Sequence, residues 1–211
     1  MKRSLGFTLI EVMVVIAIVA ILASIVGVNV NDAGKRSRDA DRQSDLRMLQ
    51  SAIELYKNKY GRYPDGCNGP GAWSGQIGTT YDCPGGSAEY ILELAPEFIP
   101  ALPKDPKLNG ASSGYVYAVN SQGTVYKVVA KMTVESNVVT EQHPMRSCDI
   151  NPGMCDQTYG AGGSTPNHCD PSNTNFQRSF AVWGGFEPNP SVAPGHVYAD
   201  RYTEAITCDL N

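Results

Sequence analysis

Residues 7–28 read FTLIEVMVVIAIVAILASIVGV, and Glu11 is the one charged side chain among them. Coiled as an α-helix the stretch is ~33 Å long, enough to cross a hydrocarbon layer of ~30 Å. Lys2 and Arg3 stand in front of it. A cleaved secretory signal has the same basic start, but its apolar core is roughly 7–15 residues and ends at a small-residue site of the A-x-A kind. This run is longer, carries an early carboxylate and is not followed by such a site, so residues 7–30 are expected to be a retained transmembrane helix. Glu11 is costly there, since a charge in hydrocarbon costs ~2.5–3.5 kcal/mol on insertion scales and normally has a partner. No Lys, Arg or His lies in 7–28 to supply one. A free α-amino group on Phe7 would lie one helical turn away.

The rest of the chain is a different material. All 14 prolines lie at or after Pro64, all six cysteines at or after Cys67, and 18 of the 21 glycines at or after Gly61. The whole-chain averages over 211 residues conceal that split: 42% hydrophobic, 18% charged, net charge −4. They exclude a disordered chain, which is poorer in apolar residues, and a polytopic membrane protein. The acidic balance argues against nucleic acid as a partner, because phosphate contacts need a basic face. Six cysteines point to disulfides and an oxidising compartment.

After the apolar run the helix is expected to continue through 31–60. Leu46, Leu49, Ile53, Tyr56 and Tyr60 are spaced 3, 4, 3, 4 and form one core-facing stripe. Asn31 to Asp45, rich in Arg and Asp, is expected to be solvated. Gly61 and Pro64 end the helix. The Gly-rich stretch 65–86 holds Cys67 and Cys83, which proximity pairs. Residues 87–99 are expected to form a short helix, followed by Leu102-Pro103-Lys104-Asp105-Pro106. Two β-rich runs, 115–119 and 124–130, flank Gly123 and read as a hairpin. Residues 133–140 are expected to add a third strand, and 179–186 (SFAVWGGF) a strand on the sheet.

The segment KRSLG followed by FTLIEVMVVIAIVAILA, residues 2–23, resembles the class III signal of type IV pilins and type II secretion pseudopilins. The phrases YKNKYGRYP and LPKDP resemble parts of pilin-like heads, and the likeness extends to about residue 132. The family's frequent proline further along the apolar helix is missing here, and Gly27 is the one helix-weakening residue in 7–28, so any local melting is expected around residues 27–29. The resemblance implies an α+β, type IV pilin-like fold. In it a long N-terminal helix, half transmembrane and half amphipathic, packs on a small antiparallel sheet, with a loop-rich, disulfide-stapled C-terminal region. It divides the chain into a leader (1–6), a polymerisation helix (7–30), a spine helix (31–60) and an extracytoplasmic head (61–211) whose variable part is 141–211. It further implies cleavage by a prepilin peptidase between Gly6 and Phe7 and methylation of the Phe7 amine. Glu11 matches the glutamate that draws an incoming subunit to its neighbour's amine. The implied function is a structural subunit of a type IV pilus or related filament. A type II secretion pseudopilin and a low-abundance tip adhesin are the alternatives. Implied partners are other copies or other pilins, the peptidase, a membrane assembly platform and membrane lipid before assembly. The implied location is the cytoplasmic membrane, crossed once with the N-terminus inside and the head outside, then an extracellular filament.

Residues 141–211 hold Cys148, Cys155, Cys169 and Cys208, whose pairing stays open among three arrangements, and eight acids against three arginines. The lack of a C-x2-C pair weakens a zinc reading. No nucleophile elbow, phosphate loop, dinucleotide fingerprint or paired-histidine motif is present, so no enzyme and no cofactor is expected. Some pseudopilins hold calcium after their first strands. Asp149, Asp156 and Asp170 are the weak candidates here, in a spacing that fits no EF-hand, and solvated acids are the simpler reading. Charge and cysteines disagree on orientation. Lys35, Arg36, Arg38 and Arg42 follow the span and by count favour a cytoplasmic C-terminal side, whereas disulfides and the resemblance place the head outside.

Overall fold

The computed structural model describes residues 6–120, 122–140, 142–147 and 174–185, without the side chains of 24–30. Cys148, Cys155, Cys169 and Cys208 lie outside the described residues, as do Asp149, Asp156 and Asp170. The chain divides into two compact units after Ser37.

Helix α1 runs Leu9–Tyr60. It contains no proline, and its backbone is helical through Gly27, the position at which any local melting is expected. Its C-terminus is set by Gly61 at φ +79°, whose N–H donates to the carbonyl of Lys57 at 2.7 Å. Glycine adopts that left-handed conformation without a Cβ penalty. Lys57 and Lys59 in the last turn complement the helix dipole. In the first unit the apolar side chains from Leu9 to Leu22 are exposed, Leu9 at 76% and Ile21 at 62%. Among the described residues no helix is long and apolar enough to cross a membrane, and the side chains of 24–30, which complete the expected span, lie outside them.

The second unit is built on a four-stranded antiparallel sheet in the order β1 (Ser74–Gly75), β2 (Gly114–Val119), β3 (Val125–Lys131), β4 (Phe180–Gly185). A four-residue helix, α2 (Thr174–Gln177), precedes β4. The register sets Ser74 opposite Tyr117, Tyr117 opposite Val128, and Val128 opposite Val182. Strand alternation sorts the side chains. Tyr115, Tyr117, Val119, Tyr126, Val128, Phe180 and Val182 join Leu46, Leu49, Ile53 and Tyr56 of α1 in the main core. Val116, Val129 and Ala181 form a second cluster flanked by Trp73, Tyr81 and Trp183. Four of the five expected stripe residues are thus buried, each contributing roughly 1.5–3 kcal/mol, while Tyr60 remains half exposed and stacks on Tyr56 at 4.5 Å.

Three expectations need correction. Residues 87–99 form turns rather than a helix: Glu93 sits at φ 59°, the Ala95–Pro96 bond is cis, and Pro96 cannot donate to a helical ladder. Residues 133–140 form no strand. Met132 at φ 56° ends β3, and β4 occupies the place beside it, so 133–140 is tied instead by Val134 N–H to Arg178 O (3.0 Å) and Val139 N–H to Gln177 O (2.8 Å). Finally, Asp39 and Arg42, in the stretch expected to be solvated, are buried. The pairing of Cys67 with Cys83 is present.

Candidate functional site

The start of α1 is a reciprocal cap. Thr8 precedes the helix and Glu11 is its third residue. The Thr8 N–H and Oγ1–H both donate to Glu11 Oε2, at 2.9 and 2.8 Å, and the Glu11 N–H lies 3.3 Å from Thr8 Oγ1. This is the capping box that Thr-x-x-Glu makes before an apolar run: two backbone donors with no helical partner are satisfied by two side chains. The carboxylate also faces the positive end of the helix dipole. Such caps contribute about 1 kcal/mol. The arrangement gives Glu11 a partner within its own chain, a hydroxyl and a backbone N–H in place of the cation that 7–28 lacks. The spacing of Thr8 and Glu11 was the legible signal. One end of an exposed apolar helix therefore presents an oriented carboxylate able to accept an ammonium group. A Cβ built on Gly6 meets nothing within 4 Å, so the subunit's own packing does not require glycine there. Phe7 is 87% exposed.

In the second unit three segments converge on Arg42, whose side chain is fully buried. Its Nε and Nη2 donate to both oxygens of Asp105 at 2.7 and 3.0 Å, and its Nη1 to Asp39 at 2.8 Å and Glu135 at 3.0 Å. Arg38 makes a two-pronged bond to Glu135 at 2.7 and 2.8 Å, and Lys107 reaches the same carboxylate at 3.0 Å. Asp39 also accepts from the Ser136 N–H and hydroxyl, and the Asp105 N–H donates to Gln76 Oε1 at 2.8 Å. Three cations thus meet three carboxylates. Hydrogen bonds from Arg38, Lys107 and Arg42 outweigh burial and hold Glu135 well below the usual carboxylate range. Burial pushes Arg42 down, but its bonds to Asp105, Glu135 and Asp39 prevail and raise it. The node fastens the LPKDP loop and residues 135–136 to α1. The cluster was invisible in the sequence because Asp105 and Glu135 lie 63 and 93 positions from Arg42.

A row of tyrosines continues the fastening along α1. Tyr115 donates to Asp45 at 2.7 Å, Tyr126 to Glu54 at 3.1 Å, and Tyr56 to Glu93 at 2.9 Å. Burial, and then the Glu93 carboxylate, push the Tyr56 hydroxyl up to about 12. Burial also raises Asp45, against the hydrogen bond from Tyr115.

The family model described as "Prokaryotic N-terminal methylation motif" matches residues 1–27. The type II secretion system core protein G of Klebsiella pneumoniae is 40% identical over 111 residues, covering 50% of this chain and 71% of that protein. The chain belongs to the type IV pilin and type II secretion pseudopilin family. The core protein G of Aeromonas hydrophila is 43% identical over 63 residues, which span 30% of this chain and 44% of that protein. The type IV major pilin protein PilA of Myxococcus xanthus is 38% identical over 66 residues, 31% of this chain and 30% of that protein. No solved structure matches. The chain is a pilin-like structural subunit carrying the N-terminal methylation motif.

Proposed function

We propose that the chain is a precursor that a prepilin peptidase cuts between Gly6 and Phe7 and methylates on Phe7, and that then polymerises through its N-terminal helix. The observation that carries this reading is the capped, oriented Glu11 at the end of a helix whose apolar side chains are exposed from Leu9 to Leu22. Packing those helices together buries the apolar surface. The same packing takes Glu11 out of water, where a carboxylate is costly unless it is paired. The methylated amine of a neighbouring copy is the matching cation. Before assembly the precursor waits in the cytoplasmic membrane, leader inside and head outside, until an assembly platform extracts it. The fold supports that orientation: Arg38 and Arg42, counted against it, are committed to Glu135 and Asp105 of the head and to Asp39 of α1 itself. Lys35 is paired with Asp32 at 3.2 Å. The Cys67–Cys83 bridge calls for the oxidising side of the membrane.

A pseudopilin of a type II secretion machine is the second reading, favoured by the likeness to core protein G. Mass spectrometry of sheared surface filaments tests the proposal. It is expected to find a chain starting at N-methylated Phe7. Unprocessed chains in the filament, or mature chains beginning elsewhere, would overturn it.

A further inference from the structure

The outer edge of β4 is not bare. The Ala181 N–H donates to the carbonyl of Met145 at 3.0 Å, and Arg146 pairs as an antiparallel bridge with Phe180. The turn carrying Met145 is closed on itself by His143, whose Nδ1 accepts the Met145 N–H at 3.1 Å while its carbonyl accepts the Arg146 N–H at 3.1 Å. The His143 ring lies on the Phe180 ring, 5.1 Å between centroids. Met145 itself is sunk into the main core.

We propose that residues 143–147 are an acid-releasable guard on the edge of β4 that faces away from β3, with His143 as the latch. Only neutral imidazole with a bare Nδ1 can accept the Met145 N–H. A proton placed there turns the acceptor into a donor and sets two N–H groups against each other. Partial burial holds His143 below its ordinary value, so the fold favours the neutral ring. From β4 the ring is faced by Phe180, and among the described residues of 142–147 and 174–185 the charged side chains besides His143 are the cations Arg146 and Arg178. With the native value lowered, the closed guard is fully favoured above the unfolded value of ~6.5 and loses ground as pH falls below it. Opening frees the Ala181 N–H, and an unpaired strand edge is a template for another strand.

Amide hydrogen exchange on the full-length chain in detergent tests this, with His143 followed by NMR in the same samples. Between about pH 7.5 and about pH 5, after correction for intrinsic exchange, protection at Met145 and Ala181 is expected to fall about ten-fold, the worth of one hydrogen bond. Central amides of β3 are expected to hold. His143→Asn keeps an acceptor two residues before Met145, as in an Asx-turn, but cannot titrate. In that variant the fall is expected to vanish. Unchanged protection in the wild type, an equal fall in His143→Asn, or His143 titrating at or above its ordinary value would overturn the proposal.

Discussion

Replacing Arg42 by methionine keeps the length of the side chain and removes the cation from the centre of the node. Asp105 loses most, because both of its oxygens bond Arg42. Asp39 retains the N–H and hydroxyl of Ser136, and Glu135 retains Arg38 and Lys107. The variant therefore leaves buried Asp105 with the Lys107 N–H, at 2.8 Å, in place of three donors, and Asp39 and Glu135 with one donor fewer each. Removing one partner of a buried pair costs about 3–5 kcal/mol, far more than the roughly 0–1 kcal/mol of an exposed pair. For a unit of this size that lowers the melting temperature by about 6–20 °C. Urea and thermal unfolding of the full-length chain in detergent, followed by tryptophan and tyrosine signals, reads the loss. Pairing the change with Asp105→Asn in a double-mutant cycle gives the check. The double variant is expected to be more stable than the sum of the single losses predicts, by up to about 3 kcal/mol. The pH response carries a sign. In the wild type Glu135 is held below the usual range, so its share of stability is full above the unfolded value of ~4.3 and is lost as pH falls through the folded value beneath it. In Arg42→Met one of the hydrogen bonds that hold Glu135 down is gone, so the variant has less to lose in acid and the gap between variant and wild type narrows. A loss below about 1 kcal/mol, or a gap that widens in acid, would refute the reasoning.

Gly6→Ala is expected to leave the fold unchanged, since the added Cβ meets nothing within 4 Å, yet to accumulate precursor; mature chains beginning at methylated Phe7 in that variant would remove the peptidase from the explanation. Thr8→Ala deletes the cap at a cost of about 1 kcal/mol and leaves Glu11 without its intrachain partner. Filament yield from cells is expected to fall, and less so than in Glu11→Ala. Equal yields for Thr8→Ala and wild type would show that the cap plays no part in assembly. Cys67→Ser with Cys83→Ser opens a loop of sequence separation 16 and is expected to cost about 3 kcal/mol in urea unfolding, whereas reductant should not alter the double variant further.

What the sequence made legible was whatever local rules decide. The end of α1 at Gly61, the β2–β3 hairpin around Gly123, the buried stripe from Leu46 to Tyr56 and the Cys67–Cys83 bridge each follow from a few neighbouring residues. The failures fall where partners are distant. The cluster 90–99 has the composition of a helix, but Tyr90, Ile91 and Leu94 are core residues delivered from turns, and Pro96 blocks the ladder. Val134 and Val139 are buried as a strand's would be, yet the chain between them bends to place Glu135 and Ser136 on α1. Asp39 and Arg42 look like solvated charges until Asp105 and Glu135 arrive from elsewhere in the chain. The Thr8–Glu11 cap differs from these: its signal is local, a Thr-x-x-Glu spacing in which a hydroxyl serves the carboxylate instead of a cation.

The cations after the apolar run show why counting charges misleads in a chain of this design. A positive-inside count weighs Lys and Arg near a span and gives carboxylates little weight. That rule suits loops whose charges have no other employment. Here Arg38 and Arg42 are held by carboxylates from the LPKDP loop, from residue 135 and from α1 itself, with Arg42 wholly buried. A head that must hold its spine helix firmly needs strong contacts where the helix enters it, and an apolar seam there would lengthen the membrane-like stretch. A balanced cluster of three cations and three anions meets both demands, binding the loops to the helix while keeping the sequence polar. Arg38 and Arg42 are therefore placed by their partners in the folded unit, and for the proposed orientation the disulfide between Cys67 and Cys83 is the better guide.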